Sequence, residues 1–307
     1  MSFRQFADKV AVVTGGASGM GRALCYELGQ GGSTVVVADL NIGQAETVAA
    51  AIVANGGRAG ARLVDVSQEE QVQALIDGTV RDHGRIDYLF NNAGIALFGD
   101  ARDLTLQQWR QVLAVNLHGV VSGTIIAYKI MARQGFGHIV NVASSAGLSP
   151  APTETAYCTS KYAVVGLSLS LRPEGADLGV KVSVVCPGYV RTGMFQTAAI
   201  INVAPERRGV MSPSGLGGKG KSAPMVLNPR KTMDASRAAQ AILKGVLRNR
   251  AVIAFPAGVR VEWLLNRLFP GLMDRLLLMP TRDFRRYRSE GVAKNQGTDE
   301  SMNITNR

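Results

Sequence analysis

Short apolar runs alternate with longer segments of helical spacing through most of the chain. Val10–Thr14 reads VAVVT, an unbroken apolar run of the kind found in strands that are buried on both faces. Met20–Gln30, which follows it, has apolar residues at helical spacing. Because this alternation repeats, it predicts an α/β protein: a doubly wound Rossmann fold with a parallel sheet of about seven strands and helices on both faces.

The same patterns place the other elements. The remaining predicted strands are Ser33–Asp39, Ala59–Val64, Ile86–Asn91, His138–Val142, Val180–Cys186 and Ala251–Phe255. The remaining predicted helices are Ile42–Ala54, Glu69–His83, Leu106–Arg133, Ala156–Leu171 and Ala235–Arg248. Pro173 is expected to end the Ala156 helix early, because proline interrupts a helix interior.

Two segments lack the alternation. Residues 192–232 contain four prolines and a Gly/Ser/Lys-rich centre at 214–221, which predicts either a lid over a binding site or a disordered insertion. From Gly258 the chain is basic and amphipathic, and Val261–Pro280 predicts two short helices broken at Pro270-Gly271. The last dozen residues are expected to be disordered. We therefore divide the chain into a Rossmann-type domain at 1–257 and an extension at 258–307.

The net charge of +11 lies entirely in the last third of the chain. Residues 1–200 contain 15 basic and 15 acidic side chains, whereas residues 201–307 contain 19 and 8. This asymmetry predicts a localised basic surface. Nucleic acid is not expected as a partner, since aromatic residues total only 6% and do not alternate with the basic ones.

The number and spacing of the cysteines and histidines indicate the redox state of the compartment and whether a metal site is expected. The three cysteines are an odd number and widely spaced, which favours a reducing compartment. We find no apolar export signal and no run of 18 uncharged apolar residues, so we expect a cytoplasmic protein, with a membrane surface as the alternative. The three histidines lie near no second ligand type, and no metal site is expected.

A glycine-rich loop joins the first predicted strand to the first predicted helix. It reads Thr14-Gly15-Gly16-Ala17-Ser18-Gly19-Met20-Gly21, and Asp39 ends the second strand 18 residues later. Glycines allow close approach of a pyrophosphate to a helix N-terminus, and the carboxylate would accept hydrogen bonds from ribose hydroxyls. The plainer alternative is an ordinary turn and a helix-capping Asp.

A tyrosine and a lysine share one face of a predicted helix. Tyr157 and Lys161 are four residues apart, and Ser144 lies thirteen residues before the tyrosine, after a predicted strand. A nearby ammonium favours the phenolate and makes tyrosine usable for proton transfer near neutral pH. The strand end places the serine hydroxyl at the edge of the sheet where such folds bind ligands.

Together, the motifs resemble those of the short-chain dehydrogenase/reductase family over about Lys9 to Phe255. The matching features, in order, are Thr14-Gly-x3-Gly-x-Gly21, Asn91-Asn92-Ala93-Gly94, Asn116, Ser144, Tyr157-x3-Lys161 and Pro187-Gly188. Ser144 is favoured over Ser145, because it lies thirteen residues before Tyr157 and three before Gly147, as in the family. Cys186 stands where the family often has Asn.

The resemblance implies the roles of the catalytic residues. Tyr157 would be the general acid/base, Lys161 would bind the nicotinamide ribose and lower the pKa of Tyr157, and Ser144 would orient the substrate oxygen. Asn116 would support the proton relay. The cofactor contacts that the resemblance and the glycine loop imply are Gly15, Ser18, Gly19, Met20, Gly21, Asp39, Asp65, Val66, Asn92, Ala93, Gly94, Tyr157, Lys161, Pro187, Gly188, Val190 and Thr192.

The expected cofactor is NAD. Asp39 would repel the 2′-phosphate of NADP, and the loop carries Ala17 and Ser18 where NADP-binding members usually have Arg or Lys. The expected reaction interconverts a secondary alcohol and a ketone, or a primary alcohol and an aldehyde. A NAD(H)-sensing regulator on the same fold is the alternative.

The substrate pocket is expected to be apolar, which favours a steroid, lipid, retinoid or aromatic alcohol. Its candidate lining residues, each of which could instead be core, are Leu97, Phe98, Leu148, Pro150, Pro152, Met194, Phe195, Ile200 and Ile201. The resemblance implies a homodimer or homotetramer. The C-terminal extension could pack on the domain, cover the pocket, contact a subunit or touch an anionic membrane.

Overall fold

The computed structural model describes residues 3–194, 198–203 and 232–295. Its helices are α1 Gly19–Gln30, α2 Ile42–Ala54, α3 Glu69–His83, α4 Leu106–Leu113, α5 Gly119–Gln134, α6 Thr155–Ala176, α7 Ala235–Leu247, α8 Ala257–Leu268 and α9 Pro270–Asn295. Its strands are β1 Val10–Thr14, β2 Thr34–Asp39, β3 Arg58–Leu63, β4 Tyr88–Asn91, β5 Leu97–Phe98, β6 Gly137–Val142, β7 Val180–Pro187, β8 Val190–Arg191, β9 Ala199–Ile200, β10 Met233–Asp234 and β11 Val252–Phe255.

Seven parallel strands form the central sheet, in the order β11-β7-β6-β4-β1-β2-β3. The predicted doubly wound α/β fold is therefore confirmed. The strand order reverses between β1 and β4, which leaves a crevice at their carboxyl ends. The glycine loop follows β1, and Asn92 follows β4, so both open onto that crevice.

The unbroken apolar run of β1 is explained by its two covered faces. Ala11 and Val13 are buried in a cluster that includes Leu24 and Ile242 of helices α1 and α7. Val12, which points the other way, is buried in a cluster that includes Ile76 of α3. Because successive side chains of a strand alternate between faces, both layers of helices demand apolar residues.

Four buried polar side chains connect the strands beside the crevice with α5 and α6. Asn91 Nδ2 donates to Asn141 Oδ1 at 2.8 Å and to Thr124 Oγ1 at 3.2 Å. Asn141 Nδ2 donates to Ser168 Oγ at 3.1 Å. Since each group is satisfied, the network fixes β4 and β6 relative to the two helices.

Two predicted helices of the domain differ from the structure. The helix predicted over Leu106–Arg133 is interrupted by a π-helical turn at Ala114–His118. The helix predicted to end before Pro173 runs on to Ala176. Proline costs one backbone hydrogen bond near the helix end, and Arg172 holds this end by donating to Val182 O at 2.6 Å and to Asn249 O at 2.7 Å.

The extension also differs from its prediction. The break at Pro270 is present, but the second helix continues through Pro280 to Asn295. Tertiary contacts beyond the proline stabilise it: Phe284 is buried with Ile200 and Val203, and Arg285 binds Asp100 at 3.1 Å. The predicted disordered last dozen residues lie outside the described part of the chain.

The ends of segment 192–232 are attached to the domain. β9 pairs with β5, and β8 pairs with β10 at the far end of the segment. The Gly/Ser/Lys-rich centre at 214–221 lies outside the described residues.

The stretch Leu106–Gln134 is 29 residues long and apolar enough to cross a membrane on length and composition alone. It belongs to the domain core, however. Ala127, Ile130 and Met131 are buried in the same cluster as Ile139 and Leu171. Its apolar character is therefore explained by packing.

Candidate active site

The glycine loop adopts backbone conformations and contacts that need glycine. Gly15 and Gly19 have φ values of +63° and +52°. A Cβ at Gly15 would lie 2.9 Å from Ala93 Cα, and one at Gly21 would collide with Gly15 O. The loop therefore packs closely against β4 and leaves the N-terminus of α1 open, as pyrophosphate binding requires.

Asn92 joins the loop to the neighbouring strand. Its Nδ2 donates to Thr14 O at 3.0 Å and to Gly15 O at 3.2 Å. Its backbone N–H and that of Ala93 donate to Thr14 Oγ1 at 3.0 and 3.2 Å. Asn92 thus acts as a structural brace for the loop, and its side chain is committed to backbone oxygens.

The Asp39 carboxylate lies at the end of β2, against the glycine loop. Oδ2 accepts a hydrogen bond from Ala17 N at 2.9 Å, and Oδ1 accepts one from Asn41 N at 3.0 Å. These two bonds fix the negative charge beside the crevice.

The other predicted cofactor residues border the same edge of the sheet. Ser18 occupies the N-cap position of α1 without a side-chain capping hydrogen bond, and Met20 lies in the first turn of that helix. Asp65 accepts from Ser67 after β3, and Val66 contacts Gly119 at the start of α5. Thr192 lies beside Gly19, where a Cβ would be 3.1 Å from Thr192 Cβ.

On the far side of the crevice, β7 ends at Pro187. Gly188 N donates to Phe255 O at 2.7 Å, and a Cβ at Gly188 would lie 2.9 Å from Val259 Cγ2. Val190 is buried in β8. The structure therefore brings the predicted cofactor residues to the carboxyl edge of the sheet.

Ser144, Tyr157 and Lys161 meet at the end of β6. Burial raises the pKa of Tyr157 well above its ordinary value, whereas the nearby Ser144 hydroxyl lowers it. Ser144 Oγ itself accepts a hydrogen bond from Ala146 N at 3.2 Å. The two hydroxyl groups are therefore close to each other at this edge of the sheet.

The ammonium of Lys161 is buried beside the tyrosine. Its Nζ donates to Val142 O at 3.0 Å and lies 5.5 Å from the centroid of the Tyr157 ring. Burial lowers the pKa of Lys161 to about 8. Near neutral pH the Lys161 amine is therefore mostly protonated. Its distance from Tyr157 is one at which a positive charge favours the phenolate.

The π-helical turn places Asn116 deep in the site. Asn116 Oδ1 accepts from Ile95 N at 2.8 Å, and Nδ2 donates to Ile95 O at 2.9 Å and to Ser160 Oγ at 3.3 Å. A Cβ at Gly94 would lie 3.1 Å from Asn116 Oδ1 and 3.5 Å from Lys161 Nζ. The missing side chain of Gly94 thus leaves these two polar groups facing one small space.

The turn that carries Ser144 is held against α6. A Cβ at Gly147 would lie 2.6 Å from Lys161 O, and Cys158 Sγ contacts Ala146 O at 3.0 Å. Cys186 lies nearby and is buried, which raises the pKa of its thiol to about 12. Close backbone packing, rather than flexible side chains, therefore sets the Ser144 position.

Sequence reasoning did not identify Glu154, one helical turn before Tyr157. Burial raises the pKa of its carboxyl to about 7, and its charge raises the pKa values of Tyr157 and Tyr189. Within the described part of the chain, no hydrogen bond or ion pair engages this carboxylate. In the sequence, an acidic residue at the start of a helix is common because it interacts favourably with the helix dipole. Nothing in the sequence therefore distinguished Glu154 from such a residue.

The predicted pocket residues do not all lie together. Phe98 and Met194 pack against the cluster that contains Tyr157, Ala96 and Ala146. Leu97 and Ile201 form a core cluster with Val112 and Ala156, and Leu148 packs with Val164 and Val184. Ile200 packs against Phe284, Pro150 is exposed and Pro152 is half-buried, while Phe195 lies outside the described residues.

A family model described as short chain dehydrogenase matches residues 9–200. The chain belongs to that family. It is 35% identical over 205 residues to cyclohexanol dehydrogenase of Acinetobacter sp. (strain SE19), an alignment that covers 66% of this chain and 82% of that protein.

Two further similarities extend this comparison. Probable oxidoreductase EphD of Mycobacterium tuberculosis (strain ATCC 25618 / H37Rv) is 38% identical over 193 residues, which is 62% of this chain but only 33% of EphD. The chain thus spans about a third of that relative. A crystal structure of a short chain dehydrogenase/reductase from Burkholderia phymatum in complex with NAD superposes with a TM-score of 0.74 and 30% identity, covering 87% of this chain and 95% of that one.

Proposed function

We propose that the protein is an NAD-dependent oxidoreductase. It would interconvert a secondary alcohol and a ketone, or a primary alcohol and an aldehyde, on a hydrophobic substrate. The observation that carries the proposal is the meeting of Ser144, Tyr157 and Lys161 beside the glycine loop. The dehydrogenase relative and the NAD-bound structural neighbour support it.

The residues around the crevice fit a nicotinamide dinucleotide. A Cβ at Gly15, Gly19 or Gly21 would occupy space beside the loop, and the φ values of Gly15 and Gly19 exclude most other residues. Asp39 is fixed where a ribose hydroxyl could donate to it, and its charge disfavours a 2′-phosphate. We therefore propose NAD rather than NADP.

Bound NAD would supply the hydride acceptor for alcohol oxidation. Ser144 holds the substrate oxygen next to Tyr157, whose phenolate removes the hydroxyl proton. Lys161 Nζ, 5.5 Å from the centroid of the Tyr157 ring, would stabilise that phenolate electrostatically. Asn116, fixed by Ile95, holds the polar space through which the proton leaves toward Lys161.

The apolar side of the site supports a hydrophobic substrate. Phe98 and Met194 pack in the cluster that contains Tyr157, and Ile200 contacts Phe98 and Phe284. Glu154 is the exception, since its carboxyl lies near enough to Tyr157 to raise the pKa of the phenol. A substrate that also carries a hydroxyl or amine at that side would satisfy this group.

The test is NADH formation with a panel of hydrophobic secondary alcohols. Tyr157→Phe should reduce turnover by about 10³-fold or more and leave NAD binding, measured by calorimetry, nearly intact. Tyr162→Phe changes an exposed tyrosine of the same helix and should leave turnover unaltered. Failure of every alcohol and matching ketone while NAD still binds would count against the proposal and favour the alternative of an NAD(H)-sensing protein.

We also propose that the protein is a homo-oligomer. Helices α4 and α6 expose Leu106, Tyr162 and Leu169. Large apolar side chains on two helix surfaces are consistent with a subunit interface. Light scattering of the full chain should give a dimer or tetramer, and a monomer at assay concentration would refute this part.

A further inference from the structure

Large apolar side chains are concentrated on the outer surface of α8 and α9. Of the sixteen that are exposed in the described residues, six lie within residues 261–276, each 52–60% exposed. We call them the α8–α9 apolar face: Val261, Leu264, Leu268, Phe269, Leu272 and Leu276. Single exposed apolar residues are common, but a contiguous set marks an interaction surface.

Helix α8 is apolar on two sides. Val259 is buried and Trp263 packs beside it, in a cluster with Val164 and Cys186. Val261, Leu264 and Leu268 are spaced by three and four residues, so they share one face of the helix, away from that cluster. The inner side of α8 is therefore packed against the domain. The apolar residues on its outer side are exposed, and the domain does not account for them.

Helix α9 is attached to the domain beside the proposed substrate site. Met273 and Phe284 are buried, and Phe284 contacts Ile200 and Val203. Arg285 donates to Asp100 at 3.1 Å. These anchors leave Leu272 and Leu276, one turn apart, exposed next to Phe269.

Exposed arginines border the apolar face. Arg260, Arg267, Arg275 and Arg282 are all exposed, and Arg267 lies 5.9 Å from the Trp263 ring. Among the side chains that the structure describes, no ion pair engages Arg267, Arg275 or Arg282. Two acidic residues of this stretch are among those side chains: Glu262 is half-buried and near Tyr162 and Tyr189, and Asp274 is exposed.

We propose that the α8–α9 apolar face docks on the surface of an anionic lipid bilayer. Apolar side chains would enter the boundary between headgroups and acyl chains, and the bordering arginines would bind lipid phosphates. A second copy of the chain fits less well, because a two-fold interface would place guanidinium groups beside one another with few acids to pair them.

Vesicle flotation of the full chain tests the proposal independently of enzyme activity. The probes are vesicles of phosphatidylcholine alone and of phosphatidylcholine with about 30% phosphatidylserine. The protein should float with the anionic vesicles and remain unbound with the neutral ones, and salt should weaken binding. The variants Leu264→Asn/Leu268→Asn and Arg267→Ser/Arg275→Ser should each lower the vesicle partition coefficient by about tenfold or more.

Matched controls lie on the opposite edge of the domain. Leu63→Asn and Arg81→Ser alter an exposed leucine and an exposed arginine there and should not change flotation. Thermal unfolding confirms that each variant folds. Absence of wild-type binding, equal binding to neutral vesicles or unaltered binding of both double variants would overturn the proposal. A smaller oligomer in Leu264→Asn/Leu268→Asn, with no vesicle binding by the wild type, would identify the face as a subunit interface instead.

Discussion

The crevice between β1 and β4 and the outer surface of α8–α9 differ in how their side chains are satisfied. At the crevice, Asn92, Asp39 and Asn116 are each bonded to backbone groups within the same domain. On α8–α9, large apolar side chains and arginines face outward. The polar groups of the first region are satisfied within the domain, whereas the second region leaves apolar side chains exposed, and we propose that a bilayer covers them.

Removing the buried ammonium should have the largest effect on the crevice. Lys161→Met leaves Tyr157 without the neighbouring cation that favours its phenolate. We expect turnover to fall by about 10²–10⁴-fold. Steady-state kinetics measure this, with Lys129→Met, an exposed lysine on α5, as the control. Equal turnover of the Lys161→Met and Lys129→Met variants would show that Lys161 has no role in the reaction.

Cofactor preference should depend on Asp39. Asp39→Ala removes the carboxylate fixed by Ala17 and Asn41, so the preference for NAD over NADP in kcat/KM should fall by about 10–100-fold. Asp77→Ala, on the surface of α3, should leave the ratio unchanged. A wild-type protein that uses both cofactors equally would contradict the assignment before any variant is made.

The close packing beneath Ser144 can be tested with two glycines. Gly147→Ala would bring a Cβ within 2.6 Å of Lys161 O, so it should destabilise the protein by about 1–3 kcal/mol and displace Ser144. Gly166→Ala, within α6 and with open space around it, should instead stabilise by about 0.5–1 kcal/mol. Chemical denaturation measures both effects. If Gly147→Ala left the free energy of unfolding unchanged, the turn that carries Ser144 would not be packed closely against Lys161.

On the substrate side, Glu154 should make stability depend on pH. Its folded-state pKa of about 7 exceeds the ordinary value of 4.5, so the folded state holds the proton longer than the unfolded state does. The resulting stabilisation is complete below about pH 4.5 and is lost as the pH rises through 7. Glu154→Gln should therefore be more stable than wild type by about 1 kcal/mol at pH 8. This difference is smaller than the pKa shift alone would give, because the Glu154 side chain is partly in contact with solvent.

The Glu154→Gln advantage should vanish near pH 4.5, and thermal unfolding across this range measures it. Glu174→Gln changes an exposed carboxylate of the same helix and serves as the control. An advantage that does not depend on pH would mean that the carboxyl is not buried as described.

The pattern of apolar and polar residues was sufficient to predict the elements whose structure depends on neighbouring residues in the sequence. The helices Ile42–Ala54 and Glu69–His83 have their predicted bounds, and the glycine loop joins β1 to α1 as predicted. The π-helical turn at Asn116 was missed, because one extra residue per turn leaves no mark in the apolar pattern.

Tertiary contacts explain the remaining differences. Helix α9 passes Pro280 because Phe284 and Arg285 are anchored to a distant part of the chain, which no local signal reveals. Helix α6 passes Pro173 for a similar reason, since Arg172 is bound to β7 and to the loop at Asn249. The roles of the site residues remain predictions.

The most direct test of the account is the fate of a labelled hydride. Purified protein is incubated with NAD and a reactive secondary alcohol that carries deuterium on its carbinol carbon, and the nicotinamide product is examined by mass spectrometry. We predict deuterated NADH with wild type and with Tyr162→Phe, and essentially none with Tyr157→Phe. Ketone formed without label in NADH, or label transferred equally well by Tyr157→Phe, would contradict the proposed chemistry.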